Sequence, residues 1–149
     1  MDNFHVRLKI LSEMLNKKKA LLTQILVITE NQENILLSPY AATDEGAVLF
    51  TGLNDEKQKL IELVLESDRL FQNLFDELKD EFDARAKEFG EEIDLLKVRI
   101  KEIVDLDSKI RIREEKNKML IEKSKPKGKM NTGVSKAYLL KQYEKNKNF

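Results

Sequence analysis

Chemistry in this chain would have to come from carboxylates. Of its 149 residues 27 are Asp or Glu, while histidine occurs once and cysteine is absent. Adjacent acids recur as Asp55/Glu56, Asp80/Glu81 and Glu91/Glu92. Such pairs can act as general acid and base only where their surroundings push their pKa values apart. On helices this highly charged they are ordinarily solvated faces. A di-iron helical bundle would add Glu-x-x-His motifs, and the one histidine, His5, reads as a frayed-end residue. Asp94, Asp105 and Asp107 could outline a cation site, with the same solvated reading preferred. Met14, Met119 and Met130 are too scattered for a sulfur site. Absent cysteine excludes disulfides, thiolate metal sites and a cysteine nucleophile. No GxGxxG, P-loop, HExxH or EF-hand loop occurs. The expectation is a non-enzyme with no cofactor, no metal and no small-molecule substrate.

The elements that carry these side chains follow from composition. Charged residues make up 36% and hydrophobic residues 41%, with 5 Gly and 2 Pro. Abundant Leu, Ile, Glu and Lys with few turn residues is the composition of long amphipathic helices. No uncharged apolar run approaches the ~20 residues of a membrane span, and no basic stretch leads into a long apolar one as in a secretory signal. A cytoplasmic location is expected. Net charge is zero overall but not locally: residues 55–92 carry −7 and residues 123–149 carry +7. A basic tail can attract nucleic acid or anionic lipid, dock on the chain's own acidic helix, or stay solvated. Nucleic acid is disfavoured because the tail has no Arg, the residue best suited to bidentate phosphate contacts.

Apolar residues recur at steps of three and four from Phe4 through Leu8, Leu11, Leu15, Leu22 and Ile25 to Leu36, predicting a first helix over about 3–37. Its stripe is wide enough for two neighbours. Lys18 falls on the seam, where its stem can lie along apolar surface while the amine reaches water. Ser38-Pro39-Tyr40 should end the helix. Thr43-Asp44-Glu45-Gly46 and Gly52 read as turns, so 38–53 is expected to be a long connection holding a short helical turn. A second helix should start at an Asn54 N-cap and run to about 82, with Leu60, Ile61, Val64, Phe71, Leu74, Phe75, Leu78 and Phe82 inward. Ser67 and Asp68 interrupt this stripe and suggest a wet or terminal packing layer in preference to a specific polar contact.

A third helix, about 89–124, carries the clearest register: Phe89, Ile93, Leu96, Ile100, Ile103, Asp107, Ile110, Glu114, Asn117 and Ile121, alternating steps of four and three as a coiled-coil seam does. Leu95, Val98, Val104, Leu106, Ile112 and Leu120 lie off it and offer a second face. Polar Asp107, Glu114 and Asn117 should splay the bundle or set its register. A reversal is expected within 83–91, because one helix over 54–124 would be ~105 Å long and would need a dimer to bury its stripe. After Glu122, Lys123-Ser124-Lys125-Pro126-Lys127-Gly128-Lys129 reads as a flexible linker. Val134, Ala137, Tyr138, Leu140 and Tyr143 then return at helical spacing, predicting a short helix over about 132–144. A helix that short is marginal alone. It either folds on a partner, packs back on its own bundle, or frays. The expected fold class is all-α: an antiparallel bundle or coiled coil of three long helices (1–124) with a flexible basic tail (125–149) bearing a short amphipathic helix.

Leu53-Asn54-Asp55-Glu56-Lys57-Gln58-Lys59-Leu60-Ile61-Glu62 followed by Glu66-Ser67-Asp68-Arg69-Leu70-Phe71 resembles the middle of FlgN-type flagellar export chaperones. Glu114-Glu115-Lys116-Asn117-Lys118-Met119-Leu120-Ile121-Glu122 is similar to the end of their third long helix. Gly133-Val134-Ser135-Lys136-Ala137-Tyr138 followed by Tyr143 is similar to the segment closing clostridial-type members. The likeness spans 7–143 and is least over 38–52. It implies a cytoplasmic, non-enzymatic chaperone that binds the C-terminal helical segments of hook–filament junction proteins, prevents their premature assembly and delivers them to the type III export apparatus. The client contact it implies falls on Val134, Ala137, Tyr138, Leu140 and Tyr143. The alternative is a structural coiled-coil protein that self-associates, for instance as a homodimer.

Overall fold

The computed structural model describes residues 3–123, and within them the chain is all-helical. Helix α1 spans Asn3–Leu37, a 3-10 helix spans Pro39–Ala42, α2 spans Asp44–Arg85 and α3 spans Gly90–Lys123. α2 runs antiparallel to α1 and α3 runs parallel to it. The linker and the short helix expected over 125–149 lie outside the described residues. No helix among the described residues is long and apolar enough to cross a membrane.

The start of the second helix differs from expectation by ten residues. Pro39 opens the 3-10 helix and Ser38 caps it by accepting from the Tyr40 amide. Thr43 then caps α2, its hydroxyl accepting from Gly46 N at 3.1 Å, with Asp44 and Glu45 at the positive end of the helix dipole. Gly46 is required there: a Cβ would lie 1.9 Å from the Tyr40 carbonyl oxygen. Gly52, expected to be a turn, sits inside α2 with open space around it. Asn54, expected to be the N-cap, is buried in mid-helix. The physical reason is that Ala47, Phe50, Asn54, Lys57, Ile61 and Val64, all buried, alternate steps of three and four. The inward stripe runs unbroken through the supposed loop, with two polar residues on it.

The reversal between α2 and α3 occupies residues 86–89. Glu88 N and Phe89 N both donate to the Arg85 carbonyl. The Arg85 guanidinium lies over the rings of Phe4 and Phe89, 5.2 and 5.0 Å from their centroids, and pairs with Glu88 at 2.8 Å. Phe4 also meets Phe82 and Phe89 edge-on at 5.6 and 5.2 Å, the offset geometry that aromatic quadrupoles favour. His5 stacks on Phe89. The core continues from this end through Leu8, Leu11, Leu15, Leu22, Ile25, Ile61, Val64, Leu78, Leu96, Ile103 and Ile110. Burying each such side chain contributes about 1.5–3 kcal/mol.

Candidate partner-binding groove

α1 is the central helix: it packs along both α2 and α3, whereas no Cα atom of α2 lies within 8 Å of one in α3. Packed helices run with axes ~8–10 Å apart, so α2 and α3 are not packed against each other. The bundle is open along one side, with α1 as the floor.

The seam of α3 explains the opening. One heptad position, Leu96, Ile103, Ile110 and Asn117, is buried along its whole length. The other, Ile93, Ile100, Asp107, Glu114 and Ile121, is buried only at its two ends. Ile100, expected on the seam, is 42% exposed. α2 shows the same gap: no residue between Val64 and Leu78 is fully buried. In α1 the corresponding stretch is the polar run Asn16-Lys17-Lys18-Lys19-Ala20, which also holds no buried residue. Three weak stretches meet at one level and produce a waist.

Two adjoining hollows of about 200 and 210 Å³ occupy it. Leu15 and Leu22 of α1, Ile61, Val64 and Phe71 of α2, and Ile103 of α3 supply most of the apolar lining. Val104 and Leu65 stand at its walls, 56% and 47% exposed. Lys18 Nζ meets Asp68 Oδ1 at 2.6 Å within it, and Arg111 Nε meets Asp107 at 3.0 Å on the α3 side. Asp68 is therefore a specific partner of the seam lysine, where only a wet layer was expected. The result is an apolar trough with its charges already paired, suited to an amphipathic helix.

A second polar feature lies above the trough, toward the far end of the bundle. Lys57 is 0% exposed; its amine donates to Gln32 Oε1 at 2.5 Å and Glu114 Oε1 at 2.6 Å. Thr29 Oγ1 donates to the same Glu114 oxygen at 3.1 Å. Asn117 Nδ2 donates to the Thr29 carbonyl at 3.0 Å. Gln32 Nε2 reaches Asn54 Oδ1 at 3.4 Å. Beside them Glu33 accepts from Arg113 at 2.9 Å and Lys116 at 2.8 Å. Burial pushes the Lys57 amine below its ordinary value, and Glu114 partly restores it. Hydrogen bonds from Lys116 and then Arg113 hold the Glu33 carboxyl below its own. A depressed lysine can act as a nucleophile, but this amine is sealed from solvent and already donates to Gln32 and Glu114. The network joins all three helices and serves register.

Asp94, Asp105 and Asp107 do not come together: among the described residues no group of three or more His, Cys, Asp or Glu could hold a metal ion. Val134, Ala137, Tyr138, Leu140 and Tyr143 lie outside the described residues. Sequence reasoning missed the groove, although Val104 off the seam and Ser67-Asp68 on it were its signals. No family model, curated protein or solved structure matches this chain.

Proposed function

We propose that the chain is a non-enzymatic export chaperone that holds a client's amphipathic helix in the trough between α2 and α3. The observation that supports this reading is the trough itself: an apolar floor and walls left open by helices that bury their stripes elsewhere. An unfolded client with an exposed coiled-coil segment offers matching i, i+3, i+4 anchors. The resemblance of 53–71, 114–122 and 133–143 to FlgN-type chaperones supplies the client class, the C-terminal helical segments of hook–filament junction proteins, and the cytoplasmic setting. It also assigns the tail residues Val134, Ala137, Tyr138, Leu140 and Tyr143 to client contact. Coupled folding costs several kcal/mol of ordering, which keeps such binding reversible for hand-over to the export apparatus.

The test is a calorimetric titration of the full chain with a synthetic peptide of a junction protein's C-terminal segment. Val104→Asp places an unpaired charge at the wall on an exposed position. It should weaken binding at least tenfold and leave the fold intact. Equal affinity for both forms, or no binding to either, would overturn the reading.

A further inference from the structure

We propose that the reversal at 86–89 is a swapping hinge: a second copy of this chain exchanges α3 with the first, and α2 and α3 straighten into one helix over 44–123. This stands independently of the function proposed above. The first observation is phase. Leu78, Phe82, Arg85, Phe89, Ile93 and Leu96 follow one another at steps of four, three, four, four and three. On an unbroken helix of 3.6 residues per turn they stay within an arc of about 80°, one stripe. The two fours in a row are a stutter, which relaxes supercoiling without breaking that stripe. A hairpin needs no such match, because α2 and α3 each meet α1 separately.

The second is the make-up of the hinge. Asp83-Ala84-Arg85-Ala86-Lys87-Glu88-Phe89 holds no proline, and Ala, Arg, Lys and Glu are among the better helix formers. Ala86 already has helical φ and ψ of −57° and −34°. Gly90 has no left-handed φ and open space where a Cβ would stand, so the turn does not require it. Arg85 pairs with Glu81 and Glu88 and lies over Phe89. All three stand three or four residues away, a spacing that a continuous helix keeps. Short hinge loops are where identical elements exchange between copies.

The third is what the exchange gives up. No Cα atom of α2 lies within 8 Å of one in α3, so straightening breaks no packing between them. α3 leaves only α1, and the α1 of the second copy offers the same surface to Leu96, Ile103 and Ile110. Phe4 keeps Phe82 of its own chain and takes the partner's Phe89. Each trough then has α2 of one copy and α3 of the other as its walls. The opposing factor is charge. Residues 76–94 carry nine acidic and three basic residues, and the two-fold axis brings two such stretches together. Salt screens that repulsion, so high protein concentration and salt both favour the exchanged pair.

The absence of native cysteine allows a direct test in the full chain. Chains unfolded in urea are refolded at micromolar and at millimolar concentration and sized by light scattering. The lower concentration should give monomer and the higher a dimer, with more dimer in high salt. Nitroxides at Asn73→Cys and Ser108→Cys, both exposed positions, then report the distance within one chain by pulsed electron resonance, the labelled chain being refolded in a large excess of unlabelled chain. The dimer should show about 52 Å, the rise of 35 residues along one helix. The monomer should show less than ~30 Å, because α1 alone separates α2 from α3 and helix axes pack ~8–10 Å apart. Gly90→Ala puts alanine inside the continuous helix and should raise dimer association several-fold. Ala86→Gly with Lys87→Gly should lower it at least tenfold. Monomer alone at millimolar concentration would overturn the proposal. So would a dimer whose labels keep the monomer's distance, or hinge variants that act with the opposite signs. Peptide binding by a chain that never exchanges would sink this inference and leave the chaperone reading standing; exchange with no peptide binding would do the opposite.

Discussion

The reversal end of the bundle and the polar layer beyond the waist, which is itself closed off by an apolar cluster of Phe50, Ile121, Ile35 and Leu36, are held together by opposite means. At the reversal end Phe4, Leu8, Leu78, Phe82 and Phe89 form an aromatic and aliphatic plug. In the polar layer Gln32, Asn54, Lys57, Glu114 and Asn117 occupy the same seam positions with polar side chains. The apolar plug is worth much and discriminates little, since apolar side chains of similar volume substitute for one another at modest cost. The polar layer is worth little net, because desolvation offsets most of its attraction. Its partners must all be present, however, so a helix slipped by one turn would strand a buried charge. We read the pairing as a division of labour: the plug supplies stability, the polar layer fixes alignment, and the waist between them stays open.

The comparison can be broken most forcefully at the plug. Phe4→Ala should cost about 3–5 kcal/mol in urea unfolding, and Phe4→Leu far less, because the loss scales with volume removed. In the polar layer the loss should follow pairing and not volume. Glu114→Ala leaves the sealed Lys57 amine without its anion and should cost about 2–4 kcal/mol, under the full penalty because Glu114 is partly open to water. Lys57→Met should stay within about 1 kcal/mol of the parent, since a hydrophobic replacement of a buried charge is often neutral or stabilising. If Lys57→Met costs more than Glu114→Ala, the polar layer is a net stabiliser and the division fails.

Acidity sharpens the same contrast. The Glu33 carboxyl is depressed below its ordinary value of 4.5, so its contribution is fully present above that pH and is lost as pH falls through the folded value. Amide exchange around Thr29–Glu33 and Arg113–Asn117 should therefore accelerate below pH 4.5 before exchange around Phe4 and Leu78 does, and Glu33→Gln should remove the difference. The sign reverses for Lys57. Its depressed amine loses its proton in the folded state first, so its burial penalty shrinks as pH rises toward 10.5.

Smaller effects test where α2 begins. Thr43→Ala removes a cap and should cost about 1 kcal/mol. Gly52→Ala, on an exposed helical turn with no atom in its way, should stabilise by about 0.5–1 kcal/mol. A loss at Gly52→Ala would mean that the chain turns there.

Much of this fold could be read from residue spacing, and the failures are instructive. α1 and the reversal before Gly90 followed from apolar periodicity and length alone. The start of α2 did not, because Thr43-Asp44-Glu45 and Asn54-Asp55-Glu56 carry the same capping signal. The stripe from Ala47 to Val64 looked broken because Asn54 was read as an N-cap and the polar Lys57 falls on it. Only their partners on α1 and α3, distant in sequence, make those positions inward. The trough was hidden for a related reason: Ile100 has the spacing of a seam residue, and its exposure depends on how far apart two helices run, which no local pattern encodes. The tail residues singled out by sequence lie outside the described residues.

Photo-crosslinking inside the source cell addresses the central claim most directly. A benzophenone side chain at position 104, in the trough, should capture a junction protein through its C-terminal segment, and one at position 95, exposed on the same helix but away from the trough, should not. Capture at 95 with none at 104 would contradict the account.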